Sequence, residues 1–349
     1  MRPTPTRIEP IFSPRLWGAR SLAPLFPEKS DLQEPLGEAW LTGMDCRIGS
    51  GPFAGKSLGA AWAEMPVEWR GSQLASEVSF PLLVKFIFPT EKLSLQVHPD
   101  DAYAAAHERA AGGRGKTEMW HVVSALPGAQ LLLGLKPGVN EEKFREALAS
   151  NTLEDLFEGQ TVRTGDTFFV PPGTAHSIGP NLIICEVQEY SDLTYRVYDF
   201  ARVDARGKLR ELHVEKALQV MKFGKPAGGK VPSLLLSTDA ASRSLLAACR
   251  YFATERWECS TKCEIPVDPQ RFELIVILEG AGGFAWPDSA ARYRRGECWL
   301  VPASQGHIDV LPETRTSLIR TFVPDIPMLR AELHRDGISA AALAQVIFD

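Results

Sequence analysis

The sequence predicts a mainly β protein that contains two copies of one β unit. Many short segments rich in branched and aromatic residues are bounded by Pro, Gly or Asp, a pattern typical of strands joined by turns. The 28 glycines and 26 prolines among 349 residues suit a chain with many turns rather than a long-helix protein. A motif near the middle of the chain recurs 131 residues further on.

The first half is predicted to be β structure with helical insertions. Helices are expected after Pro99 and after Asn140, a residue type that caps helix starts. The predicted helices span 100–111, 141–157 and 213–223. The predicted strands span 82–88, 93–97, 119–125, 129–135, 166–171 and 182–188.

The second half is predicted to be a smaller β domain. Residues 224–233, rich in Gly, Lys and Pro, indicate a linker. Strands are expected over 235–238, 245–253, 271–278 and 298–302, followed by a polar tail that ends in a helix around 338–348. We therefore predict one domain over 1–223, with helical insertions at about 140–160 and 210–223, and another over 234–349.

The repeated motif is a glycine, a strand and a Pro-x-Gly corner that precedes a histidine. It runs from Gly165 to His176 and again from Gly296 to His307, with Ser304 in place of the second glycine. This string resembles the second motif of cupins, which are small antiparallel jelly-roll barrels. The resemblance implies two cupin barrels, with the helical insertions in and around the N-terminal one.

Four side chains that precede or belong to this motif indicate a metal site in the N-terminal barrel. Gln96 and His98 lie two apart on one strand and share a face, and Glu118 begins the next strand. With His176 they offer imidazole, carboxylate and amide ligands, which suit Zn²⁺. Taken singly, His98 reads as a turn residue before a proline and Glu118 as a solvated strand end. The second copy has no Gln-x-His strand, so we predict no metal there.

A phosphate-binding loop is a competing interpretation of residues 110–117, which end in Gly-Lys-Thr. Such a loop follows a strand and precedes a helix. Here the order is reversed, so nucleotide binding is not expected.

Charge and cysteine content restrict the remaining classes. A net charge of −5 without basic runs argues against nucleic-acid binding, although a few local cations can bind a small anion. The six scattered cysteines do not resemble a disulfide framework, which favours a reducing compartment, the cytoplasm. The N-terminal residues lack a signal-peptide pattern and no apolar run reaches membrane-spanning length, so no membrane association is expected.

Three segments together resemble the type I mannose-6-phosphate isomerases, most closely the short bacterial form. They are Leu93–Asp101 with its Gln-Val-His-Pro-Asp string, Gly115–Trp120, and Thr194–Phe200. The resemblance is strong over about 7–223 and weak beyond. It implies one zinc ion per chain held by Gln96, His98, Glu118 and His176, an active-site arginine at Arg196, and contacts to a phosphorylated sugar from Ser94 and Lys116.

The implied reaction interconverts mannose 6-phosphate and fructose 6-phosphate through a cis-enediol. A Lewis-acid metal and a fixed guanidinium stabilise the negative charge that develops on O1 and O2. We expect Arg196 and Lys116 to be catalytic, and leave the base open between Lys116, Glu189 and a metal-bound water. Lys85, inside an apolar strand, is either a substrate cation or structural.

Several alternatives stay open at this point. Arg196 also fits a surface ion pair with Asp192 or Asp199. The chain also fits another cupin sugar-phosphate isomerase or epimerase, or a metal-binding regulatory protein without turnover. Monomer and homodimer are equally compatible with the sequence.

Overall fold

The computed structural model describes residues 3–203, 207–224, 228–236, 240–287 and 289–349. The described residues are mainly β with short helices, which confirms the predicted class. The helices are α1 (Leu58–Glu64), α2 (Val67–Arg70), α3 (Asp101–His107), α4 (Glu141–Ala149), α5 (Val214–Val220), α6 (Ile326–Arg335) and α7 (Ala340–Leu343).

The strands are short and run through both halves of the chain. In chain order they are β1 (Thr6–Glu9), β2 (Ile11–Ala19), β3 (Leu36–Trp40), β4 (Arg47–Ile48), β5 (Leu82–Ile87), β6 (Leu95–Val97), β7 (Glu118–Ala125), β8 (Gln130–Leu135), β9 (Phe157–Thr161), β10 (Thr167–Val170), β11 (His176–Ile178), β12 (Leu182–Glu189), β13 (Tyr195–Tyr198), β14 (Gly229–Val231), β15 (Leu234–Leu235), β16 (Ser242–Ala248), β17 (Ala253–Cys259), β18 (Cys263–Pro266), β19 (Glu273–Glu279), β20 (Ala281–Trp286), β21 (Ser289–Arg294), β22 (Cys298–Val301), β23 (His307–Pro312) and β24 (Thr316–Phe322).

Within the described ranges these strands form four sheets. Sheet I has the order β14-β10-β7-β12-β5-β3-β2, and sheet II has the order β13-β6-β11-β8-β9. Sheet III has the order β15-β16-β17-β24-β19-β22-β1-β4, and sheet IV has the order β18-β23-β20-β21. Each sheet is open in its strand order, so the described residues do not form closed barrels, and the two predicted jelly-roll barrels stay a prediction.

Three apolar clusters hold the sheets together. One lies between sheets I and II, with side chains from β5, β7, β10 and β12 against β8 and β11. Another joins sheets III and IV in the same way. The largest packs the outer face of sheet I against sheet III. The two halves therefore form two sandwiches set back to back, and sheets I and III each have two apolar faces, one toward each neighbouring sheet.

Several predicted boundaries change in the structure. The segment 141–157 is α4, a 3₁₀ turn over Leu153–Leu156 and then the start of β9. The predicted linker contains β14, which pairs with β10 and extends sheet I. The strand predicted over 245–253 is β16, a turn and the start of β17. Within 235–238, β15 supplies Leu235, and residues 237–239 lie outside the described ones.

The polar tail also holds more structure than its composition indicates. It contains β23, β24 and α6, whereas the predicted helix at 338–348 is only the short α7. The sequence of β24 reads as polar because its polar side chains are paired inside the fold. For example, Thr254 Oγ1 and Thr321 Oγ1 lie 3.0 Å apart in the core of sheet III.

The predicted division into 1–223 and 234–349 is crossed by pairing strands. β1 and β4, from the first residues of the chain, lie in sheet III, where β1 pairs with β22. β14, from beyond residue 223, lies in sheet I. The domain boundaries stay a prediction.

A buried ion cluster lies between sheets III and IV. Glu273 begins β19 as Glu118 begins β7, and both are fully buried. The guanidinium of Arg320 contacts both oxygens of Glu273, with 2.7 Å from Nε to Oε2. It also donates to Glu255 Oε2 at 3.2 Å and to the Pro266 carbonyl at 2.8 Å. Burial alone raises the pKa of Glu255, but Arg320 and Arg243 outweigh it and hold that pKa at about 2.

Replacing Arg320 with alanine is expected to destabilise the protein by about 3–5 kcal/mol, because buried Glu273 loses its ion-pair partner and buried Glu255 keeps only Arg243. Urea unfolding measures this free energy. The control is Arg292→Ala, since Arg292 is 78% exposed and pairs with Glu313 at the surface. That loss is expected to stay below about 1 kcal/mol. Equal losses in the two variants would contradict a structural role for the buried cluster.

Candidate active site

Three predicted site residues lie side by side across sheet II. In the antiparallel register, Gln96 on β6 is the partner of His176 on β11. On the other side of β6, Gln96 is the partner of Arg196 on β13. Directly paired residues have neighbouring side chains on one face. Strand pairing therefore brings together residues that are up to 100 positions apart in the sequence.

The opposing face of sheet I supplies the other polar groups. Along β7, Glu118, Trp120 and Val122 share the face that looks toward sheet II. On the neighbouring strands the register pairs Trp120 with Glu186, and Glu186 with Lys85. Toward one end of the sandwich this face is apolar, and toward the other it carries the buried charges. The site lies at this charged end.

The predicted metal ligands meet in a buried cluster. One ligand atom each from His98, Glu118 and His176 lies within 4.8 Å of the other two, and all three residues are buried. His98 Nε2 is 3.4 Å from Glu118 Oε1, and His176 Nε2 is 3.8 Å from Glu118 Oε2. Gln96 Nε2 donates to His176 Nε2 at 3.2 Å, so the amide joins the same group.

Backbone carbonyls fix both imidazole rings. His98 Nδ1 donates to the Leu193 carbonyl at 2.8 Å, and His176 Nδ1 donates to the Thr174 carbonyl at 2.9 Å. A carbonyl only accepts, so each proton lies on Nδ1 and each Nε2 presents a lone pair to the cluster. Burial lowers the pKa of both histidines, which keeps the rings neutral.

The Pro-x-Gly corner before His176 has a steric reason. Gly173 has φ of +82°, and a Cβ there would lie 2.7 Å from the Val220 carbonyl oxygen. Its N–H donates to the His98 carbonyl at 2.8 Å. The glycine thus ties the corner to His98, and a side chain there would clash with the end of α5.

Glu118 is the buried anion of the cluster. Its Oε1 contacts Lys116 Nζ, while its Oε2 has no hydrogen-bond partner in the described part of the chain. Burial raises the pKa of Glu118, but the charge and the hydrogen bond of Lys116 act against it, and the pKa of Glu118 is lowered below its usual range. A buried, ionised carboxylate oxygen without a partner is costly unless a cation binds there.

A pocket of about 380 Å³ opens beside the cluster. Two of its lining residues, Gln96 and Lys116, contact the buried ligands. Its cationic lining residues are Arg15, Lys85, Lys116, Arg196 and Arg210. Most are neutralised: Arg15 by Glu38 at 2.7 Å, Lys85 by Glu186 at 3.0 Å, Lys116 by Glu118, and Arg210 by Asp199 at 2.8 Å.

Arg196 differs from the other pocket cations. Among the described residues, no carboxylate lies within ion-pair distance of its guanidinium. Instead Nη1 donates to the Glu211 carbonyl at 3.0 Å and Nε donates to Ser94 Oγ at 3.3 Å. Asp199 pairs with Arg202 and Arg210, so the surface ion pair considered for Arg196 is not formed. The pocket therefore offers one guanidinium to an anionic ligand.

The Gly-Lys-Thr segment does not form a phosphate cradle. The Gly115 N–H donates to Asp101 Oδ1 at 2.9 Å, and the Lys116 N–H donates to the Pro99 carbonyl at 3.0 Å. The Thr117 N–H donates to Glu189 Oε1 at 2.7 Å. All three backbone N–H groups that could bind a phosphate already donate hydrogen bonds within the protein. Glu189 also lies on the opposite face of β12 from Glu186, away from the pocket.

Sequence reasoning missed four charged residues that line the pocket: Arg15, Glu38, Glu186 and Arg210. Strand alternation was an available signal for Glu186, which shares a face of β12 with Ile184 in the apolar cluster. Arg210 had no local signal, because its position depends on the ion pair with Asp199. Lys85, left open as structural or functional, is both buried and part of the lining.

Two other histidines bear on the sequence interpretation. His121 points away from the cluster and has Nδ1 3.1 Å from Thr167 Oγ1. His307, the counterpart of His176, lies with Glu264 and Asp309 in a group whose ligand atoms fall within 4.8 Å of one another. That group is partly exposed, unlike the first cluster. The absence of a metal in the second half stays a prediction.

Comparison with known proteins places the chain in a family. No protein-family model matches it. It is 32% identical over 310 residues to the probable mannose-6-phosphate isomerase GmuF of Bacillus subtilis. The aligned region covers 88% of this chain and 96% of that protein. The chain belongs to the mannose-6-phosphate isomerase family. The mannose-6-phosphate isomerase of Streptococcus mutans is 33% identical over 303 residues, which cover 84% of this chain and 92% of that protein.

A solved structure in this family agrees with the fold. The crystal structure of mannose 6-phosphate isomerase from Bacillus subtilis superposes with a TM-score of 0.83 at 27% identity. The match covers 91% of this chain and 99% of that one. The structural match therefore includes the sheets of both halves of this chain. No helix in the described ranges is long and apolar enough to cross a membrane.

Proposed function

We propose that this protein is a zinc-dependent isomerase that interconverts mannose 6-phosphate and fructose 6-phosphate. One observation carries the proposal: a buried His98–Glu118–His176 cluster lies beside a pocket whose Arg196 has no carboxylate partner among the described residues. The cluster suits a metal ion, and the guanidinium suits an anionic sugar. The relatives named mannose-6-phosphate isomerase support the choice of substrate.

The donor set supports zinc. Two imidazole Nε2 atoms and a carboxylate are ligands that Zn²⁺ prefers, and a catalytic site keeps a further position open. Gln96 is the proposed fourth ligand. Its Oε1 now accepts from Ser94 Oγ at 3.2 Å and its Nε2 faces His176. Half a turn of the amide would exchange the two atoms and direct the oxygen at the cluster.

The proposed chemistry moves a proton between C2 and C1 through a cis-enediol. Bound zinc supplies a Lewis acid that stabilises negative charge developing on O1 and O2. Arg196 presents a permanent positive charge, oriented by Ser94 and the Glu211 carbonyl, to the same charge or to the phosphate. Lys116 holds a proton at Nζ, 3.4 Å from His98 Nε2, where it can be donated to a developing oxyanion.

The pocket fits a substrate of this size and chemistry. Its volume of about 380 Å³ falls in the range of small-molecule sites. The buried Lys85–Glu186 pair in its wall offers a donor and an acceptor for sugar hydroxyls. We propose that Ser94 Oγ contacts a hydroxyl of the substrate. It lies 3.3 Å from Arg196 Nε and 3.4 Å from Arg210 Nη2.

We also infer that each pair of facing sheets is one cupin unit. Sheets I and II would be the catalytic unit of 1–223, and sheets III and IV the unit of 234–349, with β1, β4 and β14 exchanged across the border. In the second unit Arg320 places a guanidinium against Glu273, the counterpart of Glu118. A resident positive charge there supports a metal-free second unit.

A coupled isomerase assay tests the function. The purified protein is stripped with a chelator, assayed with mannose 6-phosphate, and assayed again after Zn²⁺ is restored. We expect activity to vanish and return in proportion to bound zinc. Full activity without metal would reject the mechanism. Turnover of another phosphorylated aldose but not mannose 6-phosphate would reject the substrate, and zinc-dependent sugar binding without turnover would indicate a binding protein.

A further inference from the structure

We propose that Tyr251, in the second half of the chain, is a positioning residue for Lys116 and Glu118. Tyr251 lies in the turn between β16 and β17 of sheet III. Its hydroxyl reaches Asp101, which in turn holds the loop that carries Lys116. The kinetic part of this inference depends on the proposed isomerase function, and its structural part does not.

Asp101 links the two halves through both of its carboxylate oxygens. Oδ2 accepts the Tyr251 hydroxyl at 2.5 Å and Arg250 Nη2 at 3.0 Å. Oδ1 accepts the Gly115 N–H at 2.9 Å. Hydrogen bonds to a charged acceptor are stronger than neutral ones. One carboxylate thus connects a turn of the second half to the residue directly before Lys116.

The loop has little freedom to move independently of Asp101. A Cβ on Gly115 would lie 2.6 Å from the Asp101 nitrogen, so the loop backbone rests directly on the start of α3. Glu189 closes the arrangement from β12, since it holds the Thr117 N–H and contacts Asp101. Burial, together with the negative charge of Asp101, raises the pKa of Glu189 to about 8.

A displacement of Asp101 would reach the candidate active site through Gly115 and then Lys116. Lys116 follows Gly115, and its Nζ contacts Glu118 Oε1 and lies 3.4 Å from His98 Nε2. A displaced Asp101 would shift Gly115, and with it the ammonium group that faces both ligands. Small displacements of a catalytic group reduce the rate strongly while substrate contacts elsewhere in the pocket persist. This gives the second half a role in the chemistry, although none of its described residues lines the pocket.

The test compares Tyr251→Phe with Tyr293→Phe in the zinc-loaded full chain. Both variants remove one hydroxyl from the second half, and the Tyr293 hydroxyl lies 2.9 Å from Thr316 Oγ1, with no link to Asp101. We expect Tyr251→Phe to lower kcat about fivefold with KM changed less than about twofold. The variant loses the hydroxyl's hydrogen bonds to Asp101 and from Arg250, while Arg250 keeps its own contact with Asp101. Tyr293→Phe is expected to leave both constants unchanged.

A double-mutant cycle and hydrogen exchange separate positioning from general destabilisation. In an Asp101→Ala background, Tyr251→Phe should cause no further loss of kcat, because its effect passes through Asp101. Amide exchange over 115–118 should be faster in Tyr251→Phe than in Tyr293→Phe. An undiminished loss in the Asp101→Ala background, or equal exchange in the two tyrosine variants, would overturn the inference. If the wild type does not isomerise the sugar, the proposed function fails and the exchange comparison alone decides the inference.

Discussion

Replacing His176 with alanine is expected to remove the bound zinc and lower kcat by about 10³-fold or more. His176 supplies a fixed Nε2 lone pair to a cluster in which Glu118 is buried and ionised. A metal supplies several kcal/mol of stabilisation to the transition state, and about 4 kcal/mol corresponds to a factor of 10³. Metal analysis and the isomerase assay measure the two effects on the same sample.

His121→Ala is the matched control for this ligand. His121 is 2% exposed, against 1% for His176, and lies on β7, but its Nδ1 faces Thr167. We expect this variant to lose some stability, through the cavity that it leaves, while it keeps its zinc and its kcat. If His176→Ala bound one zinc per chain and turned over at the wild-type rate, the assignment of His176 as a ligand would be wrong.

Arg196→Ala is expected to lower kcat/KM by about 10²- to 10³-fold while zinc content stays at the wild-type level. That range is typical for the loss of one preorganised donor to a developing oxyanion. Arg196 is also the pocket cation without a carboxylate partner among the described residues, so its removal leaves no buried acid unpaired. Burial and the nearby Arg210 charge lower the pKa of Arg196, so an anionic ligand would restore a favourable environment.

Two further variants define what Arg196 contributes. Arg196→Lys keeps the charge but loses the fork that bonds Ser94 and the Glu211 carbonyl, so we expect only partial recovery of kcat/KM. Arg145→Ala removes an exposed guanidinium paired with Glu215 and is expected to change nothing in the assay. Wild-type kcat/KM in Arg196→Ala would contradict its role, and a loss of zinc in that variant would make it a structural residue.

The residues that could be predicted share one property: a local pattern explains each of them. Gln96 and His98 belong to one short motif, Glu118 begins a strand and His176 follows a Pro-x-Gly corner. The structure brings these four together, with Gln96 on β6 and His98 directly after the end of that strand. Arg210 and Glu38 could not be predicted in this way, because each lies in the pocket through an ion pair with a residue on another segment of the chain.

The fold shows the same division. Helix starts at Asp100 and Asn140 were readable because each side chain caps its own helix, accepting from the Tyr103 and Lys143 N–H groups. The strand β24 could not be predicted from its own sequence. Its polar side chains, Arg320 and the threonines, are buried only because residues on β17 and β19 provide their hydrogen-bond and ion-pair partners. The exchange of β1 and β14 between the halves could not be predicted either, because the sequence of a strand does not specify which strand it pairs with.

The sequence by itself determined the strand-rich class, the duplicated motif, the candidate ligand set and the family resemblance. These depend on spacing along the chain, and spacing translates directly into strand faces and turn geometry. Only the tertiary structure decided three features of the described residues. Arg196 lacks a carboxylate partner, Glu118 Oε2 is buried without a hydrogen-bond partner, and Asp101 joins the second half to the Lys116 loop. Charge pairing depends on distances between side chains in space. These distances are set only when the sheets pack against one another.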